Sequence, residues 1–294
     1  MKKQLPKFQF LAAMGVFGTI GLCVRYIGLS SAAVAFTRGI LGSLFLLFTM
    51  LVAGKHFNRP ALKKNLLVLL LSGGAIGINW ILLFEAYRYT TVATATACYY
   101  LAPVFLLAAS PLIGEKLTLK KCLCITVALV GMIFVSGIIE GGVPHISELT
   151  GVLCGVGAAI FYATVMVLNK KLTPIPAYDK TVLQLSAAAL VVLPYMLLTG
   201  GADISAMTPI GWVLLLVVGI VHTGVSYALY FGAMGKLPAT TVAVFSYLDP
   251  VIAVLLSALV LREKMTPWGI IGTVLILASA LISELPSLKP GKNA

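Results

Sequence analysis

Charge is scarce in this chain. Lys, Arg, Asp and Glu make up 10% of its 294 residues, against roughly 25% in an ordinary soluble domain. Acidic residues are scarcer still, nine against 21 Lys and Arg. No polar stretch is long enough to fold as a separate soluble domain, which argues against a receptor with its own output domain. Histidine occurs three times and cysteine five times, with no CxxC and no His/Cys cluster at metal-ligand spacing, so neither a metal site nor a disulfide framework is expected. Paired acids at catalytic spacing and a nucleophile elbow are also missing, which leaves a membrane-embedded enzyme as a remote alternative. The glycines of "GGAIG" (Gly73, Gly77) and Gly151/Gly155 lack the strand and lysine of a phosphate loop and read as close helix contacts.

What remains is apolar. Hydrophobic residues account for 60% and the mean hydropathy is +1.05. Ten apolar runs, near 8–27, 32–53, 65–86, 92–113, 120–138, 150–169, 179–199, 209–231, 239–261 and 267–285, are each read as a spanning helix, since about 20 apolar residues cross a bilayer. The first follows a basic "MKKQLPK" like that of a signal peptide, but it is too long for one and is kept as a span. The cysteines sit within or beside these runs as small hydrophobes. With the N-terminus inside, sixteen basic residues fall on the inner side and four (Arg25, Arg88, Arg262, Lys264) outside, Arg38 lying within a span. The positive-inside rule then puts both termini in the cytoplasm, and the excess of positive charge is a topology signal with no support for nucleic-acid binding.

The second half repeats the first. "FEAYRYTTVATATACYYLAPV" aligns without gaps on "FGAMGKLPATTVAVFSYLDPV", pairing Phe84 with Phe231, Tyr100 with Tyr247 and Pro103 with Pro250. "GEKLT" from Gly114 matches "REKMT" from Arg262, Phe17-Gly18 faces Tyr162-Ala163, and Arg25 faces Lys170. The expected fold is an all-α membrane protein of ten transmembrane helices in two five-helix repeats, residues 1–142 and 143–294. Because five is odd, the repeats are inverted, an arrangement typical of secondary transporters. With an arginine in the second span (Arg38), a proline midway along spans four and nine, and GEK or REK entering spans five and ten, the chain resembles the drug/metabolite transporter superfamily in its ten-helix EamA-like branch. Phe17-Gly18 departs from the Trp-Gly that this resemblance leads one to expect. The resemblance implies movement of small metabolites through a central cavity, with helices five and ten peripheral, in the bacterial plasma membrane.

Asp249 stands out within this frame. It is eleventh in its span, where an aspartate costs about 3 kcal/mol on insertion scales and so faces a cavity or a partner. Pro250 beside it removes an amide donor and leaves the Ser246 carbonyl available. Its repeat mate is Ala102, so the fold accepts a neutral residue at the matching place. The functional reading is a cation, amine or proton site; the alternative is an acid buried against Arg38, a tyrosine or the backbone.

His222 lies at similar depth, roughly 20 Å below the outer edge against roughly 18 Å for Asp249, and shares a face with Ser226 and Tyr230. It is either a proton relay or a neutral histidine bonded to a facing helix. Arg38 is read mainly as a structural or gating charge, with carboxylate recognition as the alternative. Asn79, Trp80, Tyr99 and Tyr100 are candidate pocket walls, or packing, and Glu85 with Arg88 a gate pair, or a solvated one.

The functional expectation is a secondary transporter of small metabolites such as amino acids or amines, acting as an exporter by alternating access. The partners are a small solute and the lipid bilayer, no cofactor is expected, and a proton is the candidate coupling ion at Asp249. An importer of a sugar, a nucleotide-type solute or a quaternary amine is the alternative.

Overall fold

The computed structural model describes residues 5–109, 111, 118–135, 146–234, 236–237 and 239–285. The boundary at 142/143 and the first four residues of "GEKLT" lie outside them. Among the described residues fourteen α-helical segments follow one another: α1 (Leu5–Phe17), α2 (Ile20–Arg25), α3 (Ser31–Val52), α4 (Arg59–Tyr89), α5 (Val92–Tyr99), α6 (Ala102–Ala108), α7 (Leu119–Val135), α8 (Ile146–Lys170), α9 (Ala177–Leu198), α10 (Pro209–Leu216), α11 (Ser226–Met234), α12 (Ala239–Ser246), α13 (Leu248–Leu259) and α14 (Pro267–Glu284). A π-helical turn, Val217–Val225, joins α10 to α11.

The helix starts are written locally. Ser30, Asn58, Thr91, Thr208 and Thr266 each accept a hydrogen bond from a first-turn amide, at 3.0–3.2 Å, which satisfies donors that a helix start leaves open. Prolines in the first turns of α4, α10 and α14 cost nothing, because those amides have no helical partner.

The expectation of ten spanning helices is corrected. Among the described residues, six helices are long and apolar enough to cross a membrane: Leu5–Arg25, Ser31–Val52, Arg59–Tyr89, Ile146–Lys170, Ala177–Leu198 and Pro209–Ala233. The runs expected as spans four, nine and ten form the shorter helices Val92–Ala108, Leu248–Leu259 and Pro267–Ser283, and the fifth run gives the 17-residue α7. Hydropathy counts apolar residues, whereas a helix also needs an unbroken amide ladder. That ladder is broken before Pro103 and Pro250, where α5 gives way to α6 and α12 to α13. The six fall three in each half, in place of the five per half that was expected.

Packing follows the small residues. α4 lies across α8 and α9, and α3 lies against α9 and the π turn. A Cβ on Gly73 or Gly77 would come within 2.6–2.8 Å of α9 backbone carbonyls, so these two glycines set how close α4 and α9 can lie. α7 and α14 form a separate pair, in which a Cβ on Gly131 or Gly272 would meet the other's carbonyl at 2.8 or 2.5 Å. The largest core cluster includes Leu46, Phe84, Leu185 and Val192, between α3, α4 and α9. Polar bonds tie one end together. Asp179 accepts the Asn58 amide at 2.8 Å, Asn65 meets Thr173 at 2.9 Å, and Gln184 donates to Ser72 and Asn169 at 2.6 and 2.8 Å. Lys55, Lys63 and Lys64 belong to the same end of α3 and α4, called the lysine-rich end below.

Candidate functional site

The two helix breaks meet at the candidate site. Pro250 has no amide hydrogen to give to the Ser246 carbonyl, and Tyr247 separates α12 from α13. The Tyr100 hydroxyl, from the matching break in the first half, lies 2.9 Å from Asp249 Oδ2 and 3.4 Å from that carbonyl. A hydroxyl has one proton to donate, and the shorter bond, to Asp249, takes it. The rings of Tyr100 and its repeat mate Tyr247 are 6.0 Å apart. Tyr99 sits edge-on to Tyr100 at 6.0 Å and stacks on Tyr162 at 5.3 Å. Asp249, Tyr99 and Tyr100 are half-buried, so the cluster is not sealed. Gly18 completes it: a Cβ there would be 2.6 Å from the Asp249 carbonyl, so only glycine lets α1 end against α13.

Arg38 forms the second pole. It is 5% exposed, and its Nε donates to Thr223 Oγ1 at 2.8 Å. Its guanidinium carbon stands 4.3 Å over the Trp80 ring and 5.8 Å from Phe84. Tyr227, Tyr99, Tyr87 and Asp249 are within electrostatic reach. No carboxylate lies within ion-pair distance of Arg38 among the described residues, whose two ion pairs are elsewhere.

The other expected residues separate from this cluster. His222 is buried in the π turn, with Nε2 2.8 Å from Thr19 Oγ1 and Nδ1 3.2 Å from the Val217 carbonyl. It has no hydrogen bond to Asp249, and its partners link the π turn to the α1/α2 break. Thr223 and Ser226 donate to carbonyls five residues back, at 2.9 Å each, as a π turn presents them. Tyr230 packs with Phe10 and Phe17, and Ser246 Oγ donates to Val242 O. Asn79 donates to the Ala158 carbonyl at 2.6 Å and so joins α4 to α8 instead of facing a pocket. Trp80 is buried under Arg38. Glu85 and Arg88 form an exposed pair at 3.4 Å.

One cluster was missed from the sequence. Glu263 pairs with Arg25, 238 residues away, and its Oε2 accepts the Val92 amide at 2.8 Å and the Ser257 hydroxyl at 2.6 Å. Arg25 also donates to the Thr90 carbonyl at 2.8 Å, and the Ala93 amide donates to Ser257 Oγ at 3.3 Å. One carboxylate therefore fastens the ends of α2, α4, α5 and α13. Arg262 beside it adopts φ +54°, a left-handed backbone that is strained for a residue other than glycine. The duplicated "EK" of "REKMT" was the available signal. At this same end a cavity of about 660 Å³ is lined by Arg25, Ser30, Val34, Tyr87, Arg88 and Asp203, among others. Hydrogen bonds from the Ser205 side chain and backbone hold Asp203 below its ordinary value.

The sequence profile of the EamA-like transporter family matches residues 6–137 and again 149–285. The chain belongs to the EamA-like transporter family. It is a multi-pass protein of the plasma membrane and a small-molecule secondary transporter, not an enzyme. It is similar to the uncharacterized transporter YxxF of Bacillus subtilis (strain 168), 28% identical over 96% of this chain and 90% of the relative. An uncharacterized transporter of Archaeoglobus fulgidus is 28% identical over 91% and 92%. A solved crystal structure covers 95% of this chain and 96% of its own at a TM-score of 0.65 and 18% identity, a likeness of fold alone.

Proposed function

We propose that this EamA-like transporter exports small metabolites, amino acids or related amines, by alternating access, with Asp249 as the group that binds the coupling proton or the substrate amine. One observation carries the reading: a half-buried carboxylate in an apolar helix, hydrogen-bonded to Tyr100, sits where the two proline-marked helix breaks meet. Repeats 1–142 and 143–294 move relative to each other, and the breaks at Tyr100 and Tyr247 supply hinges where the amide ladder is interrupted. The lysine-rich end faces the cytoplasm, so the Arg25–Glu263 cluster is the outer seal. His222 ties the π turn to the α1/α2 break and passes movement of one to the other. A proton shifts the balance of inward- and outward-facing states only by binding them unequally, and Asp249 does so if Tyr100 leaves it in one of the two.

Counterflow in proteoliposomes, with an amino-acid and amine panel and wild type beside Asp249→Asn across pH, tests this. Exchange that survives in the variant while net flux loses its pH dependence makes Asp249 the coupling site. Selective loss of cationic substrates makes it their counter-ion. Wild-type behaviour of the variant at every pH sinks the proposal.

A further inference from the structure

We infer that Arg38 is the subsite for a carboxylate on the transported solute, so that acids are bound in preference to the matching amides or amines; this rests on the transport reading above. A guanidinium carries five N–H donors. One goes to Thr223, whose own hydroxyl proton goes to the Val218 carbonyl, so Thr223 serves Arg38 as acceptor. The four η-nitrogen donors have no hydrogen-bond partner among the described residues, and no carboxylate is within 4 Å. Trp80 and Phe84 offer ring faces, which attract the cation but accept none of its in-plane hydrogen bonds. A largely buried charge left this way is costly, and its missing partners are water or a ligand that reaches the η nitrogens. The vacant donors form the fork that a carboxylate engages through two parallel bonds.

Two further features fit a solute. The cavity of about 660 Å³ has the size of a small-molecule site. Val34 and Tyr87 line it, and Arg38 lies one turn beyond Val34 on α3, about 6 Å deeper. Asp249, the nearby acid, is engaged by Tyr100 and outside ion-pair distance of Arg38.

The test is binding by the full-length protein in detergent, read from Trp80 fluorescence after Trp212→Phe and Trp268→Phe. The probes are the twenty common α-amino acids and their amides, with chloride as an inorganic control. At least one acid is expected to bind roughly 10- to 100-fold more tightly than its amide, the loss expected for charge-assisted bonds. Arg38→Gln should bring that ratio to about 1, and Arg38→Lys should keep part of it. The ratio is independent of how much of a variant folds. No acid–amide preference in wild type, a preference unchanged in Arg38→Gln, or displacement of the acid by chloride alone each overturns the inference. A preference that depends on Arg38 without solute flux in proteoliposomes would uphold the subsite and refute the transport reading instead.

Discussion

Removing the Glu263 carboxylate should open the outer end of the protein. Its pair with Arg25 is partly solvated, with side chains 30% and 13% exposed, and such pairs contribute about 0.2–1 kcal/mol. The two bonds that Oε2 accepts from Val92 N–H and Ser257 Oγ are better shielded, and bonds to a charged group contribute about 1.5–3 kcal/mol each. They do not add fully, because the Val92 amide opens a helix and can turn to water. A net loss of about 2–4 kcal/mol shifts the closed–open balance by roughly 30- to 1,000-fold. Relief of the strained Arg262 backbone acts in the same direction. Ala253, buried one turn from both Ser257 and Asp249, is the reporter. With the five native cysteines replaced, Ala253→Cys in right-side-out vesicles should react with an impermeant maleimide at least about 10-fold faster in Glu263→Ala. Glu263→Gln, which keeps the shape but not the charge, should fall between. Equal labelling rates in all three proteins would refute the outer-seal argument.

Three other perturbations test separate parts of the account. Tyr100→Phe removes the donor to Asp249 without changing ring packing; net flux should shift its pH profile while counterflow persists, as transport assays across pH would show. Asn79→Leu leaves the Ala158 carbonyl without its partner at the α4–α8 contact, and should cost about 1–3 kcal/mol, read as a lower Tm in detergent with the acid–amide preference intact. Gly18→Val forces a side chain to within 2.6 Å of the Asp249 carbonyl and against Ile252, an overpacking of about 1–3 kcal/mol. It should lower Tm and transport together, whereas Gly232→Ala, where a Cβ meets nothing within 4 Å, should change neither.

Much of the site was legible because its signals are local or repeated. Asp249 is conspicuous in an apolar run, the prolines mark the broken ladders, and the gap-free repeat pairs Tyr100 with Tyr247. Glu263 was marked only by its duplicated "EK", which does not say what it binds. Beside Arg262 and Lys264 it reads as one more solvated charge, and only folding brings Arg25 and the start of α5 to it. The same holds for Asn79, a pocket wall or packing by sequence, whose bond to the Ala158 carbonyl depends on α8 lying beside α4.

Sequence alone determined the apolar class of the protein, its duplication, its family and the positions of the two breaks, because each depends on composition or on neighbours along the chain. Tertiary structure decided how many helices are long enough to span, that Tyr100 and not His222 holds Asp249, that Arg38 rests on aromatic rings with no carboxylate beside it among the described residues, and that one carboxylate fastens four helix ends. Those outcomes depend on which distant side chains share a few ångströms of space, and hydropathy along a chain carries no record of that.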